Sequence, residues 1–406
     1  MNGLLEILRR EMAARGSITF ARFMELSLYC PEFGYYERIT NTPGRRGDFY
    51  TSVSVGPLFG ELLAAQFAQW LGPWKTTGVE RGPAPDRFQL LEAGAHDGRL
   101  AADILEWFKS RQPRLFDKLD YWILEPSLRR QRWQEETLKA FSGRIRWFDA
   151  WEKLPRTGVR GIIFSNELLD AMPVHRLGWD ARNKTWFEWG VSADRGQFAW
   201  TKLALPNECN LIAVPPWAGV PESALRGPGW PEMPAGLMAV LPDGFSTEVC
   251  PAAVDWWFEA ATALKRGWLL TMDYGLTAEQ FISPERAEGT LRAYGRHQQS
   301  PDLLARPGEQ DLTAHVNLTA LQTAGESAGL KTEGVVAQGE FLTRIARTTW
   351  RDESGFADWT ATRTRQFQTL THPEHFGRFK LLLQTRGRRW GFTTQKVSPT
   401  RIKKPA

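Results

Sequence analysis

Residues 88–98 decide the fold: Phe88-Gln89-Leu90-Leu91-Glu92-Ala93-Gly94-Ala95-His96-Asp97-Gly98 is a short apolar run that ends in a loop with two glycines. The run has the length and composition of a buried strand, and a helix is predicted from about Arg99 to Lys109. A glycine turn between a strand and a helix lets backbone approach a ligand and directs free helix N–H groups at an anion. A turn with only a structural role would use the same two glycines, so the loop alone does not distinguish a ligand-binding site from a turn.

The alternation of strand and helix continues after residue 98 and resumes beyond residue 250. Further strands are predicted at Tyr121–Glu125, Arg144–Phe148, Gly161–Phe164 and Trp268–Asp273, and helices at Ser127–Phe141, Ala252–Lys265 and Leu318–Ala328. Alternating strands and helices favour βαβ units and a parallel sheet, with ligands at the carboxyl ends of the strands. The predicted fold class is therefore α/β.

The segments outside this alternation have a different character. Residues 1–86 combine helical apolar spacing with a Gly/Pro-containing linker at 72–86, and residues 174–250 combine short strand-like runs with a Pro/Gly-rich stretch at 214–244. Loops of this kind commonly separate structural units. The predicted organisation is a helical cap with a lid and linker at 1–86, a core at 87–173 and 251–406, and an inserted β-rich lobe at 174–250.

Bulk composition limits the functional classes. The chain has 406 residues, 42% hydrophobic and 24% charged, with a formal net charge of +5. This is an ordinary soluble composition, with the length of two or three domain-sized units. The charge excess is small, and no RNA-binding signature, zinc-ligand spacing or long basic stripe is present, so neither a nucleic-acid partner nor a metal is indicated. Oligomeric state is left open.

Cysteines and the N-terminal segment indicate the compartment. Cys30, Cys209 and Cys250 are widely spaced and odd in number, which argues against a disulfide framework and fits a reducing environment. The predicted first helix contains acidic residues and lacks the apolar core of a signal peptide. No stretch approaches ~18 consecutive apolar residues, so no membrane span is predicted. We expect a cytoplasmic protein.

Two groups of polar residues follow predicted strands. Glu125 ends the second strand, where nucleotide-binding α/β folds place an acid that bonds ribose hydroxyls. Asn166, Glu167, Asp170 and His175 follow the fourth strand, and such a set can orient and deprotonate a nitrogen nucleophile. Helix capping and a turn before Pro173 would explain the second group equally well.

Short motifs recur in a fixed order along nearly the whole chain. They are Ile18-Thr19-Phe20, Leu28-Tyr29, Gly34-Tyr35-Tyr36, Gly47-Asp48-Phe49-Tyr50-Thr51-Ser52, the Glu92–Gly98 loop, Asn166-Glu167-Leu168-Leu169-Asp170-Ala171-Met172-Pro173-Val174-His175, Met272-Asp273-Tyr274-Gly275, Gly289-Thr290-Leu291-Arg292-Ala293-Tyr294, Asp311-Leu312-Thr313-Ala314-His315-Val316, Gln338-Gly339-Glu340-Phe341-Leu342 and Gln384-Thr385-Arg386-Gly387. In order and number they resemble the MidA-like family, whose mitochondrial members are complex I assembly-factor methyltransferases.

The resemblance implies a Rossmann-like, seven-stranded class I methyltransferase core, with an N-terminal helical cap and a β-rich lobe inserted after the fourth strand. It implies S-adenosyl-L-methionine (SAM) as methyl donor and a protein substrate, with an arginine nitrogen favoured. A guanidinium needs carboxylates to hold it, ideally in bidentate geometry, and alignment behind the methyl carbon.

The resemblance also implies roles for individual residues. Glu167 and Asp170 are the first candidates to hold the substrate. The other catalytic candidates are Asn166, Asp48 and Asp273. The cofactor-binding candidates are Gly47 (with Asp48 in a lid), Glu92, Gly94, Gly98, Glu125, Asp149 (near the adenine) and Asn166. His175 and His315 also fall in motifs, and each would bond a backbone group, orient a substrate or serve a structural role.

One position departs from the family pattern. The family loop reads Glu-x-Gly-x-Gly-x-Gly, and His96 followed by Asp97 stands at its middle glycine. A side chain here would obstruct the cofactor, and Asp97 would repel its carboxylate. Either both side chains point away, or SAM binding is weak or lost.

Two rival functions remain at this stage. A NAD(P)-dependent oxidoreductase would need G-x-G-x-x-G for the pyrophosphate, and the loop lacks it. A degenerate methyltransferase that acts as an assembly or scaffolding protein is compatible with the substituted loop, and titration with SAM separates it from an enzyme.

Overall fold

The computed structural model describes residues 3–38, 50–72, 87–194, 196–204, 240–295, 298–350 and 356–387. In these ranges the strands are β1 (Ile18–Thr19), β2 (Phe88–Ala93), β3 (Leu119–Leu124), β4 (Ile145–Phe148), β5 (Val159–Asn166), β6 (His175–Asp180), β7 (Thr185–Asp194), β8 (Gln197–Leu203), β9 (Ser246–Val249), β10 (Leu264–Asp273), β11 (Gly275–Leu276), β12 (Arg292–Gly295), β13 (Gln298–Ser300), β14 (Asp311–Thr313), β15 (Val316–Asn317), β16 (Lys331–Ala337) and β17 (Lys380–Arg386). The α-helices are Gly3–Arg15, Phe20–Tyr29, Leu58–Leu71, Arg99–Arg111, Pro113–Phe116, Leu128–Thr137, Pro251–Ala263, Ala278–Phe281, Leu318–Ser327, Gln338–Thr349 and Ala361–Thr371.

The core is a seven-stranded sheet in the order β16-β17-β10-β5-β2-β3-β4. The strands from β10 to β4 pair in parallel, whereas β17 is antiparallel to both β10 and β16. This is the predicted α/β, Rossmann-like class I core, and that prediction is confirmed. From β2 the chain adds β3 and β4 on one side, and from β5 it adds β10 on the other. β2 and β5 therefore flank the switch point where such sheets bind ligands.

Buried apolar residues cover both faces of the sheet. Leu90 and Ile162 pack with the helices Leu58–Leu71 and Arg99–Arg111, whereas the adjacent residues Leu91 and Ile163 pack on the other face. The second face is covered by the helices Pro251–Ala263 and Leu318–Ser327. Strands that are buried on both sides read as continuous apolar runs, which is why the central strands were predictable from residues alone.

A second sheet contains strands from two segments that are distant in sequence. β1 pairs with β7, β7 with β6 and β8, and β6 with β9. Ile18 lies opposite Val191, and the helices Gly3–Arg15 and Phe20–Tyr29 pack beside this sheet. The cap and the inserted β-rich lobe therefore share a sheet. The division of the chain into three units stays a prediction. Residues 73–86 of the predicted linker and 214–239 of the Pro/Gly-rich stretch lie outside the described residues.

A small three-stranded sheet lies near the carboxyl edge of the core. β12 pairs antiparallel with both β13 and β14, and Arg292 is opposite Thr313 while Tyr294 is opposite Asp311. The short parallel pair β11 and β15 connects it to the end of β10 through the Val316 amide, which donates to the Tyr274 carbonyl at 2.7 Å. This sheet was not predicted. Among the described residues, no helix has the length and apolar character needed to cross a membrane.

Candidate active site

Two adjoining cavities open at the switch point of the core sheet. Because Ala93 pairs with Ser165, the next residues, Gly94 and Asn166, lie side by side at the carboxyl edge of the sheet. A cavity of about 860 Å³ extends over Glu125, and a smaller one of about 100 Å³ lies against Asn166. Their shared lining residues are Tyr29, Gly94, Arg130 and Leu168. A ligand that fills the large cavity thus presents one end to the small one.

The glycines predicted in the β2 loop are both required by the backbone. Gly94 and Gly98 have φ angles of 72° and 84°, a region that side chains other than glycine rarely adopt. A Cβ atom on Gly94 would lie 2.9 Å from Leu168 Cδ1. Gly98 immediately precedes the helix Arg99–Arg111, so the free N–H groups of that helix face the loop.

His96 and Asp97 behave differently from each other. His96 has a φ of 46°, and its buried Nδ1 lies 3.9 Å from Asp97 Oδ1, beyond hydrogen-bond distance; both residues line the small cavity. Asp97 directs Oδ2 at Arg99 Nε, 3.0 Å away. Burial favours the neutral acid, but the adjacent His96 and Arg99 outweigh it and lower the pKa of Asp97. The predicted repulsion of an anion is therefore reduced by the Arg99 charge.

Glu92 lies buried at the base of the small cavity. Its Oε2 accepts a 2.5 Å hydrogen bond from the Tyr121 hydroxyl. Burial raises the pKa of Glu92 to about 8. At neutral pH the carboxyl group is thus largely protonated, and it can donate a hydrogen bond as well as accept one.

Glu125 is held in place by a residue that the sequence did not indicate. Its Oε1 accepts from the Ser127 amide at 3.1 Å and its Oε2 from Gln134 Nε2 at 3.0 Å. Gln134 Nε2 also donates to the His96 carbonyl at 3.1 Å, and Gln134 Oε1 accepts from Trp147 Nε1 at 3.0 Å. The fully buried Gln134 therefore ties the glycine loop to Glu125. No motif marked it, because a single Gln in a polar helix carries no pattern.

Asp149 lies at the far end of the large cavity. It is partly exposed, and its Oδ2 accepts a 2.5 Å hydrogen bond from Lys153 Nζ. That hydrogen bond lowers the pKa of Asp149, which keeps the carboxylate ionised. Glu125 and Asp149 line the same cavity, as expected for residues predicted near a ribose and an adenine.

Glu167 presents a carboxylate to the small cavity. Its φ of 50° is unusual for a residue with a side chain, and its Oε1 accepts from the Ser52 amide at 2.9 Å and from Asn166 Nδ2 at 3.0 Å. Oε2 accepts no hydrogen bond from the described residues. Burial raises the pKa of Glu167 to about 7, and the charges of Asp273 and Asp311 add to the rise.

Three more buried carboxyl groups lie behind Glu167, and we call these four the acidic cluster: Glu167, Asp170, Asp273 and Asp311. Burial and the charges of the other three raise the pKa of Asp170 well above its ordinary value. Within the described ranges, neither Glu167 nor Asp170 nor Asp273 forms an ion pair with a Lys or Arg. Glu167, Asp170 and Asp273 are therefore held close together without a paired cation, and a cation bound in the small cavity would favour their ionised forms.

Two of the predicted substrate carboxylates are set back from the cavities. Asp170 is 6% exposed and lines neither cavity. Asp273, a second candidate for catalysis, is completely buried, and its oxygens accept the amides of Leu169 and Tyr274 at 2.9 and 2.8 Å. This differs from the predicted contact with a substrate, because Asp273 instead holds the turn that carries Glu167 and Asp170.

Two tyrosines of the cap and one arginine of the helix Leu128–Thr137 line the site, and the sequence left all three without a role. The Tyr29 hydroxyl donates to the Ala171 carbonyl at 2.9 Å, and the Tyr36 hydroxyl donates to Asp311 Oδ1 at 2.7 Å. Arg130 lines both cavities, and its guanidinium lies 5.0 Å from the centre of the Tyr36 ring and donates to the Tyr36 carbonyl. The tyrosines occur in motifs quoted above, so that signal was present.

The remaining predicted residues lie elsewhere. Gly47 and Asp48, with the predicted lid, lie outside the described residues. His175 is paired through Nδ1 with Glu188 Oε1 at 2.6 Å in the second sheet. His315 stacks edge-on against the Tyr274 ring at 6.1 Å, beyond the acidic cluster.

Comparisons with known proteins agree with this geometry. The profile of a family of S-adenosyl-L-methionine-dependent methyltransferases matches residues 62–336. The chain is 27% identical over 369 residues to the mitochondrial protein arginine methyltransferase NDUFAF7 homolog of Drosophila melanogaster, covering 84% of this chain and 74% of that protein. It is 26% identical over 365 residues to the mitochondrial protein arginine methyltransferase NDUFAF7 of Homo sapiens, covering 84% and 72%.

Solved structures show the same similarity. A Burkholderia thailandensis protein whose crystal structure holds S-adenosyl-homocysteine is 31% identical, with a TM-score of 0.75. The match covers 95% of this chain and 92% of the other. The product of the methyl donor is thus bound by a protein with this fold.

Proposed function

This chain belongs to the family of S-adenosyl-L-methionine-dependent methyltransferases, and on that premise we propose that it transfers a methyl group to an arginine side chain of a protein. The observation that carries the proposal is the acidic cluster beside the small cavity. The carboxyl groups of Glu167, Asp170 and Asp273 form no ion pair with a Lys or Arg of the described residues. Arg130 lines the small cavity as well, but its guanidinium lies on the Tyr36 ring and donates to the Tyr36 carbonyl. The carboxyl groups therefore favour a cationic substrate, whose charge would lower their pKa values. The relatives named as protein arginine methyltransferases support this choice of cation.

The residues of the two cavities fit the cofactor. Gly94 leaves space that a Cβ atom would fill, and Asn166 Oδ1 is a buried polar atom without a hydrogen-bond partner among the described residues. Glu125 would hold the ribose hydroxyls, since each of its oxygens keeps one free lone pair. When bound, SAM supplies an electrophilic methyl group on a sulfonium.

Glu167 is suited to hold and orient the guanidinium. The Ser52 amide and the Asn166 side chain fix Oε1, which leaves Oε2 for the substrate N–H groups. A carboxylate fixed in this way can align one guanidinium nitrogen, and alignment supplies much of the rate in reactions of this type. Asp170 and Asp311 lie behind it, and a bound cation would favour their ionised forms.

The transfer releases one proton, because the guanidinium nitrogen exchanges an N–H bond for an N–CH₃ bond and the product keeps its positive charge. Glu167 is the acceptor that the geometry offers. Burial raises its pKa to about 7, which brings it close to the pH at which a general base works best. Glu167 then passes the proton to solvent.

The test is Glu167→Gln, which keeps the shape of the side chain and removes its charge. We expect methylation of arginine-containing proteins or peptides to fall about 100-fold or more, with S-adenosylhomocysteine still bound in calorimetric titration. Glu106→Gln, an exposed change on the helix Arg99–Arg111, is the matched control. Unchanged transfer by Glu167→Gln, or mass spectra that place the methyl group on another residue type, would contradict the proposal.

Location in the cytoplasm stays a prediction. The named animal relatives are mitochondrial. Because their names give a protein as the substrate, a protein substrate is also expected for this chain.

A further inference from the structure

A group of arginines lies directly beyond the acidic cluster, around His315; we call Arg286, Arg292 and Arg378 the basic cluster. The Arg378 guanidinium is 5.6 Å from the centre of the Tyr274 ring, and that ring is 6.1 Å from the His315 ring. Burial and the charges of these three arginines lower the pKa of His315 to about 4, so His315 adds no charge of its own at neutral pH.

Tyr274 separates the two clusters. Burial raises its pKa, the charges of Glu167 and Asp170 raise it further, and the charge of Arg378 opposes them. Tyr274 is thus close both to carboxyl groups of the acidic cluster and to a guanidinium of the basic cluster. A side chain in the small cavity and its near neighbours in sequence would reach both clusters.

The small three-stranded sheet sets the spacing between one member of each cluster, Asp311 and Arg292. Arg292 is paired with Thr313 and Tyr294 with Asp311, so all four side chains project from one face. The opposite face carries Ala293 and Leu312, which are buried in an apolar cluster. Asp311 of the acidic cluster and Arg292 of the basic cluster are therefore two residues apart along the ladder, about 7 Å. An extended peptide covers the same length in two residues.

The basic cluster has little internal compensation. Arg286 donates to the Gln280 carbonyl and Arg292 to the Leu291 carbonyl, and the Arg378 guanidinium faces the Tyr274 ring. No carboxylate of the described residues forms an ion pair with any of the three. Glu248 lies near Arg292, whose charge favours its ionised form, although burial raises the pKa of Glu248 overall. Its Oε2 accepts from Thr290 N and Oγ1. Arg378 is exposed and Arg286 and Arg292 are half-buried, so an external anion can reach them.

We infer that the basic cluster binds an acidic side chain of the protein substrate, an Asp or Glu two positions from the arginine that enters the small cavity. This rests on the proposed function for the identity of that arginine. The acidic cluster selects the methylated residue, and the basic cluster selects its sequence context. Charges of opposite sign at a fixed distance also set the direction in which the peptide lies.

The test compares short peptides with one central arginine and either an acidic residue or its amide two positions away. Full-length protein saturated with S-adenosylhomocysteine is titrated with each peptide by fluorescence anisotropy, and methyl transfer from SAM is measured in parallel. We expect about fivefold to tenfold tighter binding and higher kcat/KM for the acidic peptide, as for one partly exposed charged pair.

Arg292→Gln and Arg378→Gln should bring the ratio of the affinities for the acidic and the amide peptide close to one. Arg378→Lys should restore most of the preference for the acidic peptide. Arg160→Gln, an exposed change at the amino end of β5, should leave the ratio as in the unmodified protein. S-adenosylhomocysteine affinity reports that each variant is folded.

The outcomes separate the two hypotheses. Equal binding of acidic and amide peptides by the unmodified protein would overturn this inference, whether or not arginine is methylated. Selective binding of the acidic peptide without methylation of its arginine would support the inference and reject the proposed function. Binding of a single-stranded RNA oligonucleotide that depends on Arg292 and Arg378 and excludes the acidic peptide would also overturn the inference, because it would mark a phosphate site.

Discussion

Gln134 provides the sharpest test of how the cofactor site is built. It is the one buried residue of the helix Leu128–Thr137, and its amide joins the His96 carbonyl, Glu125 Oε2 and Trp147 Nε1. Gln134→Met keeps the length of the side chain and removes every one of these hydrogen bonds. The substitution therefore separates packing from polar connection.

The size of the effect follows from the partners left behind. Removing one partner of a buried hydrogen bond costs about 1–3 kcal/mol, more where the partner is charged. With three partners affected and some relief from local rearrangement, we expect the free energy of unfolding to fall by about 3 kcal/mol. Affinity for S-adenosylhomocysteine should fall at least tenfold, because Glu125 loses the group that fixes one of its oxygens; tenfold corresponds to about 1.4 kcal/mol.

Urea unfolding and calorimetric titration measure the two quantities separately. Glu135→Met, an exposed change on the same helix, is the control and should alter neither by more than about 0.5 kcal/mol. If Gln134→Met unfolds at the urea concentration of the control and binds S-adenosylhomocysteine normally, the amide does not organise the site and this reasoning is refuted.

Three further perturbations test other parts of the molecule. Gly94→Ala should destabilise the protein by about 1–2 kcal/mol and abolish S-adenosylhomocysteine binding, because of its positive φ and the 2.9 Å approach to a neighbouring side chain, whereas Gly143→Ala has open space and should do neither. Glu92 has a folded pKa of about 8, above its unfolded value, so it stabilises the fold at low pH and this stability is lost as pH rises from about 4.5 through 8. The free energy of unfolding should therefore fall by about 2 kcal/mol less in Glu92→Gln than in the unmodified protein when the pH is raised from 6 to 8.5, as measured by urea unfolding at each pH. Arg363 donates twice to Glu61, at 2.7 and 3.0 Å, and Arg363→Leu should cost about 1 kcal/mol in low salt and less in high salt; an effect independent of salt would rule out the ion pair as its cause.

The central half of the core sheet was predictable because burial on both faces leaves a plain signal. β2, β3 and β10 are nearly continuous apolar runs, and each ends at a polar or glycine residue that marks the carboxyl edge. β16 and β17 were not predicted as strands. β16 contains few buried residues and an interior glycine, so neither alternation nor an apolar run distinguishes it from a loop.

The site was predictable only where chemistry follows directly from a strand end. Glu92, Glu125 and Glu167 are such residues, and the structure places all three on the cavities. Gln134 and Arg130 come from the middle and start of a polar helix, where sequence pattern gives no indication of which side chain turns inward. Asp311 was quoted only within a motif, because its proximity to Glu167 depends on a sheet of three short strands formed from distant segments.

The position of β17 has a consequence for synthesis. Its residues Lys380–Arg386 lie between β10 and β16, so these two strands have no direct pairing and are joined only through β17. The parallel strands from β2 to β10 can pair as soon as residue 273 has been translated, but the sheet keeps an open edge at β10 while more than a hundred further residues are made. An exposed strand edge favours association with other chains. The nascent protein is therefore expected to depend on chaperones in the interval before β17 emerges, and truncations that remove this strand should aggregate even though they retain every residue of the two cavities.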